Sequence, residues 1–140
     1  MKKEVRFALW MIFVHYAVNA AHGAAHSQLA IPLSRSRELF IITVIGIAPL
    51  VAGMLIWRGI TSVGGLLLAA CMAGALVFGV WNHFVTISTD HVSHLPVVGS
   101  HLWRGVFQVT AALLVATNAL GFWAGIRLAM QDSGSSDAGR

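Results

Sequence analysis

Seven histidines, at positions 15, 22, 26, 83, 91, 94 and 101, are the residues of this chain best suited to chemistry. His22 and His26 stand at i and i+4, neighbours on one helical face. Asn19 and His15 extend that stripe, because offsets of four, three and four residues keep all four side chains together. His83 follows Asn82, and Asp90-His91-Val92-Ser93-His94 sets a carboxylate and two imidazoles within five residues. Neutral imidazole is the commonest metal ligand near physiological pH. The single cysteine, Cys71, falls in an apolar run away from these groups. The set therefore suits Fe, Cu or Zn better than an iron–sulfur cluster. His22, His26, His83, His91, His94 and His101 are the candidate metal ligands. Three of them with an open position would make a catalytic-type site. Asp90 is the candidate catalytic residue, as acid or base, as a ligand, or as the group that orients a ligating ring.

The elements that must position these residues are membrane spans. Only 10% of the 140 residues are charged, against about 25% in a soluble domain. Hydrophobic residues make up 57%, and the mean hydropathy is +0.77. These values exclude an ordinary soluble enzyme and a disordered chain, and one cysteine excludes an intrachain disulfide. The net charge of +4 and pI of 10.3 do not mark a nucleic-acid surface, because the basic residues lie between apolar runs. A span needs about 20 apolar residues. Four segments qualify, at about 7–31, 39–57, 60–84 and 106–130, giving an all-α domain over 1–131 with four transmembrane helices in an antiparallel bundle. A disordered polar tail is expected at 132–140.

Lys and Arg near the span ends favour cytoplasmic termini. Lys2, Lys3, Arg6, Arg58, Arg127 and Arg140 fall on that side; Arg35, Arg37 and Arg104 fall on the other. Trp10, Trp57, Trp81, Trp103 and Trp123 all avoid the span centres, as interfacial indoles do. The expected setting is a multi-pass protein of a bacterial inner membrane. A competing reading makes the N-terminus a signal peptide, with Val18-Asn19-Ala20 as its cleavage site.

Placed on these spans, six of the seven histidines converge on the outer side, although 22 and 101 are far apart in the chain. The long outer loop from Val85 to Gly105 interleaves apolar residues with histidines. It should fold back over the helices, with Pro96 and Gly99 in a turn. His15 and Asn118 come out at similar depth and should be hydrogen-bonded. They are candidates for helix–helix contact or for binding a cofactor such as haem. Thr43, Gln108 and Thr110 could back the ligands, or bond their own helix carbonyls. Pro49 should interrupt the second span and free a carbonyl. Gly121-x-x-x-Gly125 and the glycine-rich third span are close-packing faces.

His22-x3-His26 and Asp90-His91-x2-His94 resemble, in a general way, the histidine boxes of membrane di-iron hydroxylases and desaturases. The repeated HxxHH boxes of those enzymes are missing, so no residue role is carried over. The leading expectation is a metalloprotein acting on a lipophilic substrate as an oxidoreductase or hydrolase. The alternatives are a haem b electron-transfer subunit, or an accessory subunit that docks with other membrane subunits or with copies of itself.

Overall fold

The computed structural model describes residues 1–98 and 100–133, the side chains of 132 and 133 excepted. Gly99 and most of the expected tail lie outside these residues. The described part is helical, with no strand. Helix α1 is Lys3–Gln28, α2 is Arg35–Trp57, α3 is Thr61–Val85 and α4 is His101–Ser133. The helices expected at 39–57 and 106–130 thus begin at Arg35 and His101, and the connection between α3 and α4, of which Gly99 is not described, shortens to 86–100. The proposed cleavage site lies within continuous helix.

Three helices, α2, α3 and α4, are long and apolar enough to cross a membrane. α1 is long enough but less apolar, because it carries the His15, Asn19, His22 and His26 stripe. That stripe turns inward, with His15 and His22 buried, while Trp10 and Phe13 on the opposite side are exposed. α1 packs along α4, α4 along α3, and α3 against α2. α1 also meets the Ala48–Trp57 half of α2, and meets the other half only sparsely.

The turns between helices follow from local backbone chemistry. α2 ends with Gly59 in the left-handed region at φ 86°. Gly59 N–H bonds Ile56 O and Ile60 N–H bonds Leu55 O, the paired bonds that close a helix around a glycine. α1 ends in the same pattern, with Ala30 N–H to Ser27 O and Ile31 N–H to His26 O. Ala30 takes the glycine position at φ 49°, a strained conformation for a residue with a Cβ. This turn sends Leu29 and Ile31 into a small core with Ala25 and Phe107, against which Val92, Leu95 and Trp103 pack. The outer loop is held there by Gln108, whose side chain donates to Val92 O at 2.9 Å. A second core nearer the chain ends joins Val5, Ala8, Ile12, Ile56, Leu68, Met72 and Leu128.

α2 is not uniform. Ile41–Ile47 is a π-helical segment, directly before Pro49. Proline has no N–H to return to Ile45 O, the acceptor one α-turn back. His15 takes that carbonyl instead, with Nε2 at 3.2 Å from Ile45 O. The neighbouring Gly46 O accepts from the Tyr16 hydroxyl. The other ring nitrogen, His15 Nδ1, is 2.9 Å from Asn118 Oδ1 in a buried contact, as expected from their depths. A carbonyl can only accept, so the proton sits on Nε2. Nδ1 is then the acceptor, and the Asn118 amide turns its NH2 toward it. Exchange of Asn118 for Leu should leave His15 Nδ1 with only the Asn19 side-chain amide, 3.2 Å away. The loss should be about 1 kcal/mol, read as a lower unfolding midpoint in detergent.

Candidate metal centre

His22 and His26 come from successive turns of α1, and His83 from the far end of α3, 57 positions beyond His26. His83 lies in the π-helical turn Trp81–Val85 that closes α3. There the chain bonds i to i+5, as Thr86 N–H to Trp81 O at 2.8 Å. Such bulges shift the register of the side chains that follow and recur at functional sites. His83 is buried. One ring nitrogen from each of His22, His26 and His83 lies within 4.8 Å of the other two, a grouping that could hold a metal ion.

The outer partners decide which nitrogens are free. Thr110 Oγ1 donates to Val106 O at 2.6 Å, so its lone pairs face His22 Nδ1 at 2.9 Å. His22 therefore keeps its proton on Nδ1. His83 Nδ1 is 3.0 Å from Asp90 O and 3.1 Å from Asp90 Oδ1, both acceptors, so it too keeps its proton on Nδ1. With both rings neutral, the two Nε2 atoms, 3.2 Å apart, are bare and point their lone pairs at one another. Neutral rings in that arrangement repel unless a cation or a shared proton lies between them. The separation is close to the edge of about 3.3 Å expected between nitrogens of a tetrahedral site with bonds of about 2.0–2.1 Å. His26 Nε2 is 3.2 Å from Asp90 Oδ1, which favours the proton there. His26 Nδ1 is buried with no hydrogen-bond partner, and a ring rotation is needed to bring His26 fully into the set.

Asp90 is thus the hub of the outer contacts. Although it sits in the loop, only 2% of it is exposed. Burial by itself would raise its carboxyl, but hydrogen bonds from His26 and His83, and the charge of those rings when protonated, outweigh that and hold it well below the usual carboxylate range. Arg37 Nη1 adds a looser contact at 3.8 Å. A carboxylate behind a ligating imidazole fixes ring orientation and raises ligand basicity. Asp90→Asn should weaken metal affinity about 10–100-fold, measured by competition with a chelator of known affinity. An Asp90 whose only task is proton transfer would leave that affinity unchanged.

The remaining candidates lie elsewhere. His91 Nε2 donates to Phe84 O, and His91 Nδ1 accepts from Ser93 N–H and faces His94 Nδ1 at 3.2 Å. His94 is exposed, and so is His101 at the start of α4. These three stand apart from the His22, His26 and His83 group. His15 and Asn118 form their own contact lower in the helices. Of the other polar residues, Thr43 bonds Leu39 O on its own helix, whereas Thr110 backs His22.

Sequence reading missed Phe107. Its ring lies against all three imidazoles, with centroids 4.6 Å from His22, 5.1 Å from His26 and 5.3 Å from His83. It stands one turn before Thr110 on the same face of α4, a spacing that could have marked it. No protein-family model matches this chain, and no curated protein or solved structure matches it.

Proposed function

We propose that this chain is a four-span membrane metalloprotein holding one Zn, Fe or Cu ion between His22, His26 and His83. The observation that carries this is the facing pair of Nε2 atoms, 3.2 Å apart, on rings that each turn Nδ1 to an acceptor. Three imidazoles leave an open position, where a bound ion supplies a Lewis acid and an activated water or O2. The protein's part is to set ring orientation through Thr110 and Asp90 and to seal one side with Phe107.

α1 is counted as a span because His15, Asn19 and His22 are paired within the protein, and its outward Trp10 and Phe13 suit lipid. With the termini cytoplasmic, as the Lys and Arg bias favours, the metal lies near the outer surface. The reaction class is a metal-dependent oxidoreductase or hydrolase with a lipophilic substrate. A haem ligated by His22 and His83 fits less well. Their ring centroids are only 4.8 Å apart, which leaves no slab for a porphyrin between them.

Elemental analysis of the untagged, detergent-purified protein tests the proposal. About one equivalent of a single transition metal per chain is expected. Failure to retain any metal after reconstitution would overturn it and leave a shared proton between His22 and His83.

A further inference from the structure

A cavity of about 530 Å3 extends from the histidine group toward the middle of the helices, within the usual size range for small-molecule sites. His22, His26, His83 and Asp90 line its outer end, and Tyr16 and Asn118 lie at its inner end. Much of the wall between is apolar, including Ile41, Ile45, Leu76 and Phe78. The inner polar groups bond one another and freed backbone carbonyls. The Tyr16 hydroxyl is held by Gly46 O and Asn118 by His15. The outer end is different, because the facing Nε2 atoms of His22 and His83 are there.

Glycines make much of this space. Gly23 on α1 would bring a Cβ within 4 Å of nothing, and Gly46 on α2 would meet only Ile41 O at 3.4 Å. Both line the cavity. They differ from Gly65 and Gly125, where a Cβ would meet the backbone of the facing helix. The wall between α1 and the outer half of α2 is also where these helices touch least. A molecule dissolved in the bilayer therefore has a sideways route in.

We infer that the cavity binds a single-chain amphiphile with an anionic oxygen head, a fatty acid being the simplest case, with its head at the histidine group and its chain toward the bilayer centre. This deepens the metal reading and rests on it for the head group's main partner. Between its ends the cavity repeats the polarity of one leaflet, polar at the histidines and apolar inward, and the inner polar groups Tyr16 and Asn118 are already paired, so such a molecule need not invert to bind. The sign of the head follows from the ion: a metal held by His22 and His83 takes an anionic oxygen at its open position. Arg37, 3.8 Å from Asp90 Oδ2, lies behind the cavity wall and adds positive charge against that of Asp90. A carboxylate would gain from the metal-bearing histidines, whereas a neutral head would gain less.

The test is binding of radiolabelled dodecanoate to the full chain, loaded with zinc, in phosphatidylcholine nanodiscs. Saturable binding of about one molecule per chain is expected. Gly23→Leu and Gly46→Leu should each weaken it about tenfold or more by filling the space. Leucine also favours helix over glycine, and retained zinc in these variants verifies the fold. Dodecanol should bind about tenfold more weakly than dodecanoate, the loss expected when a charge-assisted contact is removed. Non-saturable uptake that is equal in the wild type and both leucine variants would overturn the inference, as would dodecanol binding equal to dodecanoate. If zinc is retained while dodecanoate shows either of those results, the cavity inference fails and the metal reading stands. If no metal binds, unchanged unfolding midpoints in detergent verify the fold of the leucine variants instead; should those variants still lose dodecanoate, the metal reading fails and the cavity inference stands on the chain's own residues.

Discussion

His83→Ala should abolish the rise in thermal stability that added metal gives the wild-type chain. An ion that binds only the folded state stabilises it by about 2.7 kcal/mol at one hundred times its dissociation constant. In a chain of this size that is a shift of roughly 5–10 °C. Alanine at 83 removes one of the two facing Nε2 atoms and frees Asp90 from one of its partners, so neither the ligand pair nor its backing survives. His22→Ala should act in the same way, because Nε2 of His22 is the other half of the pair. His91→Ala, His94→Ala and His101→Ala should keep the full shift, since those rings stand apart from the group. The unfolding midpoint of each variant in chelator supplies its metal-free baseline, so that lost packing is not mistaken for lost binding. Equal loss of the shift in the His91 and His94 variants would mean that the loop closes onto the metal and that the site is larger than three histidines.

The division among the histidines was only partly legible in the sequence. Spacing along one helix is local information, and it placed His22 beside His26 correctly because helical rise and twist leave no freedom. The apolar run lengths likewise brought His83 to the same level as His22, and brought Asn118 to the depth of His15. Loop geometry has no such ruler. In Asp90-His91-Val92-Ser93-His94 the carboxylate turns inward, while His91 and His94 turn to Phe84 O and to each other. Periodicity says nothing about which member of that run is buried. The π-helical turns at Ile41–Ile47 and Trp81–Val85 were also illegible, although Pro49 announced that a carbonyl would be freed. Its partner, His15 Nε2, could be found only by bringing α1 and α2 together in three dimensions.

Gly125→Leu should separate α3 from α4 and lower stability by about 3 kcal/mol or more, beyond the usual range for an overpacked side chain. A Cβ at Gly125 would lie 2.6 Å from both Gly65 O and Ala69 N, and one at Gly65 would lie 2.7 Å from Gly125 O and 2.9 Å from Ala129 N. The obstacles are backbone atoms of the facing helix, which cannot rotate aside, so the helices must move apart as units. Gly65 with Ala69, and Gly125 with Ala129, are small residues at i and i+4, the arrangement that lets helices approach closely in lipid. Of the sequence motif Gly121-x-x-x-Gly125, Gly125 sits at this crossing and Gly121 lies one turn off it. Gly121 faces the Met72 side chain at 3.0 Å, and methionine can repack, so Gly121→Ala should be much milder. Unfolding of the two variants in detergent would separate a backbone crossing from ordinary side-chain packing. Equal losses would place the crossing at the sequence motif after all. His83 lies near the far end of α3 from Gly65, about 27 Å along the helix. Whatever Gly125→Leu does to the unfolding midpoint, the metal affinity of molecules still folded should fall much less than in His83→Ala, because the crossing supports the centre from a distance and supplies none of its ligands.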